Sequence, residues 1–494
     1  MNAFATFEEA AGRSRTEPRA KSVRRVVPMF AVLAMAVIGI VIQCMWLPID
    51  SDVSWLITVC ERILGGERLY VDIIEVNPPA SVWLYLPLVW LAHAISVKPE
   101  AVVAAAFVSG SVVSIAATLK LTSRLDRAPP ALWLAPVLAF VTLVLPMGLF
   151  AQREHAALLL ALPAFATLAL IAEGKPVSKA ALFASGFAAG LIVVIKPPFL
   201  LAVAAPALWA AWKRKSLRPI ALPIGAGIAA TLIYAVAVVF LAPAYFRLLS
   251  VIGQTYAPMH EVLWKVVVGP ALYPAVCFGL AALLRPPRIP PLAIALGLGS
   301  AGFVLAAILQ AKNYPNHLLP GTGLAIAALI VVMAEAGVAT VRRVAVSVAL
   351  TTIVAGAMYQ WFIRPQPVVE AAVRKVAPPK PTVIALSPQL RTGHPLTRNI
   401  GGRWVGSSAG LFTAAGALFV GLQDEGARKA YRADIDSFVM DVARNRPDIV
   451  LVDRDSKSWL MREPAIARTM RAYRPAGGAL DTEVWVRRSA SAQR

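Results

Sequence analysis

Two aspartates separated by one residue, Asp50-Ser51-Asp52, stand where the first long apolar run gives way to a polar loop. Carboxylates held against an apolar mouth lose hydration, which raises their pKa toward the range where an acid serves as a general base. The same loop, residues 48–80, adds Glu67, Asp72 and Glu75 and ends in Asn77-Pro78-Pro79. Within it, 53–65 spaces Trp55, Leu56, Val59, Ile63 and Leu64 as an amphipathic helix lying on the surface. Glu61 and Arg62 take its polar side, and Gly65-Gly66 stops it. The plainer reading of these acids is a solvated loop.

Three more polar clusters interrupt apolar sequence: Gln152-Arg153-Glu154-His155, Lys196-Pro197-Pro198, and Lys312-Asn313-Tyr314-Pro315-Asn316-His317. Each alone reads as an interfacial cap with snorkelling side chains. Gathered on one face, they set cations beside the loop acids. That combination suits a ligand with a phosphate or diphosphate and a hydroxyl to be activated. Soluble catalytic signatures are absent: no P-loop, no HExxH and no GxSxG. Cys44, Cys60 and Cys277 are scattered without CxxC spacing and read as small core residues.

The elements that position these clusters are membrane helices. The chain is 58% hydrophobic and 15% charged, where soluble domains carry roughly 25% charge. Its charges collect between long apolar runs, at about 28–47, 81–97, 100–120, 131–150, 155–172, 180–195, 197–212, 218–241, 265–284, 289–309, 318–337 and 342–362. With no water in the bilayer core, such runs satisfy their own backbone as helices. Basic clusters mark the cytosolic side: the tail 1–27, Lys120/Arg124/Arg127, Lys175/Lys179, Lys213/Arg214/Lys215/Arg218, Arg285/Arg288 and Arg342/Arg343. The acidic loop and the other polar clusters then share the outer side. The alternation closes if 81–97 fails to cross, leaving about 11 crossings; an even number would put the C-terminal domain in the cytosol. The net charge of +21 follows from positive-inside topology and anionic lipid, not from nucleic-acid binding. Residues 1–27 are a cytosolic tail, not a cleavable signal peptide.

From 364 the character changes. Pro365, Pro367, Pro378, Pro379 and Pro381 mark a linker. Strand-like runs at Thr382–Leu386, Asp448–Val452 and Glu483–Val486, with a helical stretch at 424–446, indicate a small α/β domain over 364–494. The expected architecture is mainly α: a polytopic bundle over 28–363 carrying loop 48–80, followed by this soluble domain.

The first loop, from Asp52-Val53-Ser54-Trp55 through Gly65-Gly66-Glu67-Arg68-Leu69-Tyr70-Val71-Asp72 to Asn77-Pro78-Pro79, resembles the first extracytoplasmic loop of GT-C type membrane glycosyltransferases. These include the protein-mannosyltransferase and aminoarabinose-transferase relatives. The 152–155 turn, the Ile195-Lys196-Pro197 turn, the 312–317 loop and a soluble domain after the last span are similar to that group in layout. The family's usual Asp-Glu pair is replaced by Asp50-Ser51-Asp52, and position against Trp55 favours Asp52. The resemblance implies a sugar donor on a polyprenyl phosphate, an acceptor lipid or glycan, and inversion at the anomeric carbon. Asp52 would then activate the acceptor hydroxyl, with Asp50 as the other catalytic candidate. Arg153, Lys196, Lys312 and His317 would bind the donor phosphate. Glu75, Asn77, Glu154 and His155 would hold the acceptor or a divalent cation such as Mg or Mn. The Ala/Arg/Pro-rich composition and the absence of a eukaryotic targeting signal point to a bacterial inner membrane, and the basic clusters to an N-terminus in the cytoplasm and a periplasmic C-terminal domain. Alternatives are a transporter or flippase, a glycan ligase, and an assembly subunit. Transporters carry ionisable groups near mid-membrane on broken helices, whereas the only near case here is Glu335.

Overall fold

The computed structural model describes residues 30, 32–42, 47, 49–336, 340–362 and 367–488. The basic tail, Cys44 and Pro365 of the expected linker lie outside the described residues. In chain order the helices are α1 (Val32–Val41), α2 (Ser51–Leu64), α3 (Pro79–Trp83), α4 (Leu86–Ala94), α5 (Pro99–Thr122), α6 (Ala131–Ala139), α7 (Arg153–Glu173) and α8 (Lys179–Ile195). Then come α9 (Leu200–Arg214), α10 (Arg218–Leu241), α11 (Tyr245–Thr255), α12 (Leu263–Leu283), α13 (Pro291–Gln310), α14 (Pro315–Glu335) and α15 (Thr340–Gln360).

Among the described residues, seven helices are long and apolar enough to cross a membrane: α5, α7, α10, α12, α13, α14 and α15. The chain is a multi-pass membrane protein. Shorter apolar stretches complete the set, including α1, α8, and α6 with the π-helical turn Phe140–Val144 that continues it. Segment 81–97 splits into α3 and α4, each begun by a proline in its first turn. Nine residues of α4 rise only about 14 Å, against the roughly 30 Å of a hydrocarbon core.

Burial separates centre from rim. The apolar windows of α7 and α14 are 78% and 89% buried, against 17% for α10 and 11% for α15. So α7 and α14 form the core of the bundle, and the polar residues at their starts open into protein. Close helix approach is set by missing side chains: a Cβ on Gly186 of α8 would meet the Pro223 carbonyl of α10 at 2.0 Å.

The C-terminal domain begins with α16 (Pro367–Arg374), a helix where the prolines suggested only a linker. Its strands are β1 (Thr382–Leu386) and β2 (Arg403–Trp404), then after helices α17 (Phe412–Val420) and α18 (Glu425–Asn445) come β3 (Ile449–Asp453), β4 (Tyr473–Ala479) and β5 (Thr482–Arg487). They form one mixed sheet in the order β2-β1-β3-β5-β4. Strand β1 pairs in parallel with β2 and β3, and β5 antiparallel with β3 and β4. The strands β2 and β4 escaped the sequence pattern, the first because it has two residues, the second because it carries Pro475, Gly477 and Gly478.

This domain sits on the first loop. Ile74 N–H donates to the Ser407 carbonyl at 2.7 Å, and Arg62 Nη1 to the Gly406 carbonyl at 2.5 Å. Arg398 binds Glu61 of α2 and Glu100 of α5 together. The expectation of α2 as a surface-lying amphipathic helix is therefore corrected. All eight residues Val53–Cys60 are buried, because α2 packs on α3, α4 and α5 and the soluble domain covers it as well.

Candidate functional site

Asp50 is the N-cap of α2; its Oδ1 accepts the Asp52 N–H at 2.7 Å. Gln152 Nε2 also donates to Asp50 Oδ1 at 2.5 Å, fastening the loop to the start of α7. Burial pushes the Asp50 carboxyl up to about 8, with the neighbouring Asp52 charge adding to the rise. Asp52 differs. Its side chain is 33% exposed, and its Oδ2 lies 3.8 Å from Arg153 Nη2. Of the pair, Asp52 is the carboxylate that an incoming molecule reaches.

The cations gather at the starts of the two central helices. A left-handed turn at Ala151 (φ 63°) starts α7, which puts Arg153, Glu154 and His155 in its first turn, all buried. Arg153 Nη1 donates to Ser81 Oγ of α3 at 2.8 Å. Lys196, in the break before the 3-10 turn Pro197–Phe199, pairs with Glu154. Asn316 of α14 donates to the same Glu154 oxygen at 3.0 Å. Burial lowers the Lys196 amine from its ordinary value, Glu154 opposes this, and Arg153 adds to the lowering. His317 is beside Tyr314, ring centroids 5.5 Å apart.

Four polar atoms of this cluster are buried without a hydrogen-bond partner: Gln152 Oε1, Arg153 Nε, Glu154 Oε2 and His317 Nδ1. Each such atom costs about 1–3 kcal/mol, and native proteins keep few of them. Their convergence at the helix ends nearest Asp52 marks a place shaped for a polar ligand.

Other expected site residues have different posts. His155 accepts the Ala151 N–H on Nδ1 at 3.1 Å and meets the Thr142 carbonyl through Nε2 at 2.7 Å. Its ring packs against Phe107 and Phe150. Expected as an acceptor or metal candidate, His155 here has both nitrogens engaged in shaping the turn. Lys312 faces the carbonyls of Tyr256, Ala257 and Met259 and lies over the Tyr256 ring. Expected among the donor-phosphate ligands, its ammonium here clamps the carbonyls of residues 256, 257 and 259. Burial lowers this amine to about 8.

Glu75 is buried and accepts the Trp55 indole N–H on one oxygen, and both the Asn77 N–H (2.7 Å) and Asn77 Nδ2 (2.6 Å) on the other. Both oxygens are occupied. A divalent cation finds no ready cage: among the described residues no three His, Cys, Asp or Glu side chains are grouped to hold one. Sequence reasoning passed over Ser81 and Trp55 as working parts. Nothing in their spacing signals that one anchors Arg153 and the other Glu75.

No protein-family model matches the chain, and no curated protein matches it in sequence. Among solved structures it is similar to ArnT from Cupriavidus metallidurans bound to undecaprenyl phosphate. There the identity is 13%, the TM-score 0.57, and the match covers 94% of this chain and 98% of that one. The apo state of that protein gives 13% identity, a TM-score of 0.58 and the same coverage of 94% and 98%. The archaeal oligosaccharyltransferase AglB from Archaeoglobus fulgidus gives 12% identity and a TM-score of 0.45, over 90% of this chain and 72% of that one. Helical bundle and C-terminal domain together, the chain has the fold of the GT-C glycosyltransferase structures.

Proposed function

We propose that the protein is a membrane glycosyltransferase. It moves a sugar from a polyprenyl phosphate to a lipid or glycan acceptor on the periplasmic face of a bacterial inner membrane. The observation that carries this reading is the buried, under-bonded cluster of Gln152, Arg153, Glu154 and His317 beside the open carboxylate of Asp52. A phosphate offers acceptor oxygens to Arg153, Lys196 and His317, and charge-assisted contacts are about twice as strong as neutral ones. Glu154 keeps Lys196 charged in place.

In the proposed reaction Asp52 takes the proton of the acceptor hydroxyl as its oxygen bonds to the anomeric carbon. The bond from that carbon to the phosphate oxygen breaks, and the configuration inverts. The electron pair leaves with the polyprenyl phosphate, whose extra charge Arg153 and Lys196 stabilise. The ionisable groups sit at helix ends and not at mid-span, which suits chemistry at one face better than transport.

The phosphate half is tested with undecaprenyl phosphate as the probe. Purified wild type and the Asp52→Asn variant are expected to bind one molecule by native mass spectrometry, and Arg153→Met to lose it. Equal binding in all three would overturn this assignment of the cluster.

A further inference from the structure

Helix α17 of the soluble domain reads Phe-Thr-Ala-Ala-Gly-Ala-Leu-Phe-Val, without a charge. Its last turn leaves Leu418, Phe419 and Val420 40%, 51% and 37% exposed. Such a run is out of place on a domain surface facing water. The helix packs on the loop that joins two spans. A Cβ on Gly416 would meet the Thr255 carbonyl at 2.5 Å, so only glycine lets α17 close against the end of α11. Phe412 meets Tyr256, ring centroids 5.1 Å apart, and Phe419 meets His260 at 5.5 Å. Asp434 of α18 holds the other end by accepting the Ala414 N–H at 2.7 Å.

The neighbours say what covers this face. His260 lies a few residues before span α12, whose start exposes Leu263 and Trp264 at 78% and 65%. Span α10, on the other side of α11, ends in Phe240 and Leu241, also strongly exposed. Between them α11 exposes Phe246 and Leu249. The exposed end of α17 thus continues the lipid-facing rim of two membrane helices. Aromatic and large aliphatic side chains at a span's end sit at the boundary of headgroups and acyl chains.

We infer that α17 is a membrane-seated helix: the C-terminal domain carries its own contact with the bilayer, made by Leu418, Phe419 and Val420 in the outer leaflet. The domain is thereby held from two sides, by Arg398 on the bundle and by α17 in lipid. This contact does not depend on the proposed reaction.

The test uses the full-length chain in liposomes, with Cys44, Cys60 and Cys277 replaced by Ala. A single cysteine is placed as Phe419→Cys, Val420→Cys or, for comparison, Leu480→Cys at the β4–β5 turn, and labelled with an environment-sensitive dye. Expected at 419 and 420 are a blue shift, quenching by lipids brominated near the headgroup and protection from aqueous iodide, with iodide quenching at 480. Iodide quenching at 419 and 420 equal to that at 480 would overturn the inference. Protection from both quenchers would also overturn it, by placing protein and not lipid on this face.

Discussion

Asp50 and Asp52 are two residues apart and serve different ends. Asp50 caps α2 from a buried position, while Asp52 faces Arg153 in an open one. The Asp50 pKa is near 8 folded and roughly 4 unfolded. The native state therefore binds the extra proton, and this contribution to stability is full below about pH 4 and lost as pH rises through about 8. Asn keeps the acceptor oxygen without the titration. Asp50→Asn is expected to gain thermal stability over wild type progressively from pH 5 to pH 8, read by melting in detergent; a constant difference would contradict the burial argument. The pair Glu154–Lys196 behaves otherwise. Removing one partner, as in Lys196→Met, leaves a buried charge and is expected to cost about 3–5 kcal/mol. The double variant Glu154→Gln/Lys196→Met should recover most of that in a melting experiment, yet not undecaprenyl phosphate binding. The sequence exposed both aspartates and Arg153, Lys196 and His317 by their polarity against apolar runs. It could not separate Lys312 or His155 from them, because the carbonyls that engage these two, of residues 256, 257 and 259 and of residue 142, belong to other elements.

Helix α2 shows why an element's surroundings escape its own pattern. Its spacing makes an amphipathic helix, and α2 is one, but its apolar face meets His394 and Trp404 of the soluble domain through Trp55. Nothing within residues 51–64 announces a partner more than three hundred residues away. The same holds for α11, between the apolar runs 218–241 and 265–284, and for α16 inside the proline-rich stretch. By contrast β1, β3, β5 and α18 fall within a residue or two of expectation, because buried strands and a long charged helix carry their signals locally. At this scale Arg398 is the test. It is 13% exposed and binds both Glu61 and Glu100; charge-assisted bonds of this kind contribute about 1.5–3 kcal/mol each. Arg398→Ala should raise hydrogen exchange in α2 and in residues 394–408, leaving the exchange of α7 and α14 unchanged. Unchanged exchange in α2 would show that the domain stays docked without it.

At the scale of the whole chain, the soluble domain and the acidic loop are on one side of the bundle, joined by Arg62, Ile74 and Arg398. The basic clusters lead to the same arrangement if 81–97 does not cross, and that segment forms two short helices, α3 and α4. Long-range placement was legible because charge between spans is a global rule of insertion, whereas the site's interior depends on contacts that no periodicity records. The molecule then presents an open carboxylate, a buried cation cluster and a fold similar to that of ArnT over 94% of the chain. The most direct measurement is Asp52→Asn at wild-type protein level in a strain lacking the chromosomal copy, with surface glycans and polyprenyl-phosphate sugars analysed together. Expected is a loss of one glycan modification by about 100-fold or more, the scale of a missing general base, with its lipid-linked sugar accumulating. Unchanged glycans and no accumulation, with the variant folded, would contradict the assignment of Asp52 and the transferase built on it.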